Sequence, residues 1–86
     1  MNGEQFFINA VERIPKDIDK RICWSMAISD VIADTLKSKG LSQKDFARLS
    51  GKTETEVSRW LSGTHNFTLS TLAKISSVLD KDLINV

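Results

Sequence analysis

The chain has 86 residues, 41% hydrophobic and 27% charged, with a formal net charge of +1. Two independent cores do not fit this length, because a domain usually starts near 50 residues, and the ordinary apolar fraction excludes wholly disordered or collagen-like chains. No apolar run approaches the ~18 residues of a membrane span, and near-neutral charge excludes a strongly basic nucleic-acid coat but not a binder with a locally positive face.

A chain this small buries only about 60–65% of its unfolded surface, so a partner or a dimer would add stability. One cysteine, Cys23, and one histidine, His65, give neither an internal disulfide nor a zinc site of the usual types. No basic stretch leads into an apolar one after the opening MNGEQFF, so no secretory leader is expected. The expected setting is a reduced cytoplasm, without a membrane partner or cofactor. Charge is spread evenly: residues 1–40 hold six Lys/Arg and six Asp/Glu, residues 41–68 four and three, and residues 69–86 two and two. Any polyanion site must therefore come from arrangement.

The first element is a short amphipathic helix over residues 4–13, with Phe6, Phe7, Ala10, Val11 and Ile14 on one stripe. Pro15 stops it, since the residue before proline avoids helical angles, and can open the next helix. From Lys16 to Lys39 there is no glycine or proline. Ile18, Ile22, Met26 and Ser29 run in line, joined by Ile28, Ile32 and Leu36. This reads as one long helix or two, with a break near Trp24-Ser25 preferred. Gly40 after Lys37-Ser38-Lys39 suits a helix end, with cations at the negative pole and glycine for a left-handed cap.

Ser42 opens the next helix with Asp45 in capping-box register. Phe46, Ala47 and Leu49 are its inward residues, and Gly51 ends it. Thr53 opens another with Glu56 in the same register; Val57, Trp60 and Leu61 form its apolar face, and Gly63 ends it. Thr64–Phe67 is a loop. Thr68 or Ser70 caps a last helix with Leu69, Leu72, Ala73, Ile75 and Leu79 inward. Leu83–Val86 is a short strand or a docking segment. The fold class is all-α. Residues 1–24 form an N-terminal helical extension, 25–80 the main domain and 81–86 a tail.

Two short capped helices joined through Gly51 make a helix-turn-helix pattern. Ala47 is small where the second helix crosses, and Gly51 takes the turn conformation that costs least for glycine. Val57 and Trp60 point inward, leaving Glu54, Thr55, Ser58 and Arg59 outward near the helix N-terminus, polar groups able to reach base edges. Glu56 reads better as a capping acid than as a base reader. Trp60 reads as core. Trp24 reads as core or dimer-buried, with an exposed partner anchor as the alternative, and Cys23 as a small buried hydrophobe.

The stretch Gly40 to Ile75 resembles the Cro and phage-repressor-like (XRE) helix-turn-helix family. It shares the Ser-Gln opening, the alanine, glycine and valine of the motif, the S-R-W-x-x-G close and the L-x-x-L-A-K-I helix after it. With Ile28–Leu36 the resemblance covers more than half the chain. Lys52 departs from it, standing where the family usually has a hydrophobic residue. Residues 1–24 have no counterpart in a minimal repressor domain.

The resemblance implies a compact helix-turn-helix bundle and a role for each matching residue. Gln43 clamps a DNA phosphate at its helix N-terminus, with Lys44 beside it. Thr53 caps the recognition helix and approaches the backbone. At Lys52, where the chain departs from the family, either the turn packs more loosely or the lysine stem covers the core while its ammonium reaches outward. Glu54, Thr55, Ser58 and Arg59 face the major groove of double-stranded DNA, with Arg59 the best guanine reader. Thr64, His65 and Asn66 meet phosphate in the following loop.

The leading reading is a sequence-specific repressor binding a palindromic operator as a homodimer, with half-sites about 34 Å apart. The small single-domain form, the N-terminal extension and the run S-R-W-L-S-G-T-H-N-F-T-L look like XRE antitoxins of type II toxin–antitoxin operons, similar to HigA-type partners of RelE/HigB-like toxins. That resemblance implies autorepression and binding of a toxin protein. A plain phage-type or housekeeping repressor is the rival. The second class is a protein-interaction adaptor without DNA binding of its own, favoured by the acids Asp45, Glu54 and Glu56 on the putative DNA face. An enzyme is not expected: no G-x-G-x-x-G, no P-loop and no nucleophile–base arrangement appears.

Overall fold

A computed structural model describes residues 15–85, and the amphipathic segment expected over residues 4–13 lies outside them. Four helices follow in order: α1 (Lys16–Lys39), α2 (Gln43–Ser50), α3 (Glu54–Trp60) and α4 (Leu69–Leu79). There is no strand among the described residues, so Leu83–Asn85 is an irregular tail. It is held where the Leu83 N–H donates to Ser76 Oγ at 3.2 Å.

The break expected near Trp24-Ser25 is absent. α1 runs unbroken for 24 residues, through residue 24 where the extension was expected to end. Nothing in it lacks an N–H or favours a bend, and one seam continues along it: Ile18, Ile22, Ser25, Ser29, Ile32, Leu36. From Ser25 onward that seam is buried. Its two serines are paired rather than stranded. Ser25 Oγ donates to the His65 carbonyl at 2.7 Å and Ser29 Oγ to the Trp60 carbonyl at 2.6 Å. Ser29 thus satisfies one of the orphan carbonyls at the end of α3.

The core joins all four helices: Ile32 and Leu36 from α1, Phe46 and Ala47 from α2, Val57 and Trp60 from α3, Ile75 and Leu79 from α4. The Phe46 and Trp60 rings meet at 5.7 Å with a 60° tilt, a favourable aromatic geometry. α2 packs on both α3 and α4, with Ala47 buried at that contact.

Several inward assignments are corrected. Leu49 is 56% exposed and Leu69 74%, and Ala73 is exposed as well. In α2 the third buried position is Ser50, whose hydroxyl donates to the Phe46 and Ala47 carbonyls. In α4 the buried line is Leu72, Ile75, Leu79, which leaves Leu69 and Ala73 to either side. Cys23 is exposed, because it lies on the side of α1 opposite the seam. Trp24 is 64% exposed in the single chain. Gly63 does not end α3 directly. The helix closes at Trp60 with Leu61 as C-cap, and Gly63 takes a positive φ two residues later, passing beside Met26.

Candidate nucleic-acid interface

Both helices of the motif start as their sequences dictate. The Asp45 N–H donates to Ser42 Oγ at 3.0 Å while the Ser42 N–H donates to Asp45 Oδ2 at 3.1 Å. In α3 the Glu56 N–H donates to Thr53 Oγ1 at 3.1 Å and the Thr53 N–H to Glu56 Oε2 at 3.0 Å. Each box satisfies two donors that a helix start leaves free. The hydrogen bond from the Ser42 backbone, then that from its hydroxyl, lowers the Asp45 pKa below its ordinary 3.8. Arg48 adds to this through a 2.8 Å ion pair.

The link between α2 and α3 turns at Gly51, φ +69. The Lys52 N–H donates to the Ala47 carbonyl at 2.9 Å and the Gly51 N–H to that of Arg48 at 3.3 Å, the paired bonds of a Schellman end. Thr53 then caps α3. Val57 and Trp60 hold α3 by its inner side, so Glu54, Thr55, Ser58 and Arg59 stand exposed together on its outer side. Glu56 is half-buried and spent on the cap. Gln43 and Lys44 are exposed in the first turn of α2.

The loop after α3 sorts its polar residues between two faces. His65 lines a groove of about 200 Å³ with Lys52, Glu56, Arg59, Trp60 and Thr71, and its ring meets Phe67 edge-on at 4.8 Å. Asn66 instead borders a groove with Asp17, Arg21 and Trp24 of α1. Thr64 is exposed and tied to Ser62, their hydroxyls 3.1 Å apart. The predicted residues therefore fall into four groups: the α3 face with Lys52, Thr53 and His65, the α2 start, Thr64 tied to Ser62 after α3, and Asn66 beside α1.

Sequence reasoning missed the contribution of α4. Ser70, Thr71 and Lys74 line a groove of about 460 Å³ with Ser50, Gly51, Lys52 and Trp60. The signal was available: with Leu72 and Ile75 buried, Ser70 and Lys74, four residues apart, share the outer side of α4.

Two of the three acids counted on this face, Asp45 and Glu56, cap helix starts, where the positive dipole end offsets their charge. Glu54 is the remaining acid. Among the described residues, no cluster of His, Cys, Asp or Glu could hold a metal ion, and no helix is long and apolar enough to cross a membrane.

A family model described as helix-turn-helix matches residues 32–84, more than half of the chain. No curated protein and no solved structure gives a significant match.

Proposed function

The chain belongs to this XRE-type helix-turn-helix family of DNA-binding regulators, and we propose that it is a repressor that reads a palindromic operator as a two-fold dimer. One observation carries the reading. The outer side of α3 presents Thr55, Ser58 and Arg59 at a capped helix start, while Val57 and Trp60 fix that helix in the core. Polar side chains at a rigid N-terminal turn are what direct reading of the major groove needs. Arg59, without an ion-pair partner among the described residues, is the guanine reader. Gln43 and Lys44 hold the backbone at the α2 start, as Thr64 does after α3.

Selection of bound duplexes from a random library, then titration of the winner at two salt concentrations, tests this. A palindrome with half-sites about one helical turn apart, and affinity falling steeply with salt, is the expected result. No enriched sequence would overturn it in favour of the adaptor reading. The engagement of Asp45 and Glu56 in caps already weighs against that reading.

A toxin-binding role within the same function draws support from α1. Ile18, Ile22, Trp24 and Met26 are all exposed. Trp24, Ala27 and Ile28 border a largely apolar groove of about 560 Å³ with Leu72, Leu83 and Ile84, a surface of the kind that marks protein partners. The antitoxin reading assigns it to a toxin of the RelE/HigB type. Co-purification with the product of a neighbouring gene, abolished by Trp24→Ala while operator binding persists, is the expected result. A complex that survives Trp24→Ala and Ile22→Ala together would place the toxin elsewhere.

A further inference from the structure

We propose that Lys52 and Lys74 form a clamp for one backbone phosphate of the DNA duplex, in the groove where the helix-turn-helix turn meets the start of α4. This rests on the DNA-binding reading and adds to it a wall contributed by α4.

The argument begins with two helix ends built alike. α1 ends at Gly40 with φ +68 and α2 at Gly51 with φ +69. In the first, the Leu41 N–H donates to the Leu36 carbonyl at 2.9 Å; in the second, the Lys52 N–H donates to that of Ala47 at the same distance. This motif is usually closed by an apolar residue at the position after the glycine. Leu41 does so, packing against the core. Lys52 occupies the same position and stays exposed, so the second end forgoes its apolar closure. A local rule broken without a compensating contact points to a functional demand at that position.

The groove beside it states that demand. Its side-chain lining of Lys52, Trp60, Ser70, Thr71 and Lys74 contains no acid. Both lysines are exposed, and among the described residues neither is in an ion pair. The Thr71 hydroxyl accepts from Thr68 Oγ1 at 2.9 Å, which leaves its own proton free to donate outward. Lys52, Trp60 and Thr71 also line the adjoining groove of Arg59 and His65, where the one acid, Glu56, is engaged in the cap of Thr53. A phosphate seated between the lysines therefore flanks the bases under α3. Two flexible point charges suit a phosphate and carry no preference among bases.

The test uses the full chain and its selected duplex. Lys52→Leu combined with Lys74→Ala should lower the slope of log affinity against log salt by about 0.9, the share of one phosphate, so the affinity lost between ~50 and ~200 mM salt shrinks about threefold, and each single change should give part of that drop. The loss should be equal on selected and random duplexes. Lys52→Leu should at the same time raise Tm, because it restores the apolar closure. Lys52→Gln should lower the slope without raising Tm. Lys81→Ala, at an exposed position outside the groove, should leave the slope unchanged. A full slope in folded Lys52→Leu and Lys52→Gln would overturn the clamp, as would a loss confined to one base pair. A wild-type chain that binds no duplex would overturn the DNA-binding reading itself, and the clamp with it.

Discussion

From Ser25 to Leu36 the inner seam of α1 is buried under the other three helices, whereas Ile18 and Ile22, on the same seam two turns and one turn earlier, are 38% and 43% exposed. The two halves have the same spacing, and the exposed half is the more apolar at its seam positions. They differ in what lies opposite. The inner half shares the core with Phe46, Val57, Trp60 and Ile75; among the described residues the outer half borders open grooves, with Asn66 and Phe67 of the loop after α3 and with Leu72, Leu83 and Ile84. An apolar stripe commits a helix to burial against something, but not to burial within its own chain. In a family of DNA-binding regulators, a bare stripe on the same helix that braces the DNA-reading unit offers a second surface beside the first.

The contrast can be broken most forcefully at its two ends. Ile32→Ala should cost about 2–5 kcal/mol in denaturant unfolding, since Ile32 is fully buried, while Ile22→Ala should cost about 0.5 kcal/mol or less. A large loss at Ile22 would mean that the outer half is covered in solution by another copy or by residues 1–14.

The serines grade the middle of the same seam. Ser29→Ala strands the buried Trp60 carbonyl and should cost about 1–3 kcal/mol; Ser25→Ala, whose partner His65 sits in a partly open loop, should cost about 1 kcal/mol. Equal losses at the two serines would place the boundary between the halves further out than Ser25.

Fluorescence sharpens the comparison at protein concentrations where the variant stays folded. The chain has two tryptophans and no tyrosine. In Trp60→Phe the emission comes from Trp24 alone and should be red-shifted and readily quenched by iodide; blue emission at micromolar protein would show that the outer half has found a partner. The smallest expected effect is the acid response of Asp45 on α2, away from the seam. Its folded pKa is lowered, so its stabilising contribution is complete above the ordinary 3.8 and is lost as pH falls through the lower folded value. The Tm difference between wild type and Asp45→Asn should therefore shrink only below that range, a check made by melting both proteins along a pH series.

Much of the candidate site was legible because it is local chemistry. Ser42 with Asp45, Thr53 with Glu56, and the glycines at 40 and 51 specify caps and stops within four residues, and their bonds formed as read. Burial in short helices was less legible. A hydrophobicity pattern chooses Leu49 over Ser50, yet Ser50 is buried, because its hydroxyl is satisfied by its own helix and its small volume fits under the crossing. The outer side of α4 was legible from its spacing, but its meeting with the turn was not: Lys52 and Lys74 are 22 positions apart, and only the packing of α4 on α2 brings them to one groove.

The sequence by itself determined the helices, their ends and the turn that joins α2 to α3, since each depends on backbone donors, glycine geometry and side chains a few residues away. The tertiary structure alone decided that α1 passes unbroken through Trp24, that its outer stripe stays bare, and that the turn lysine shares a groove with a lysine of α4. Those outcomes depend on which surfaces remain unfilled after four helices have packed, and the space between helices is a property of the whole arrangement that no single stretch of chain encodes.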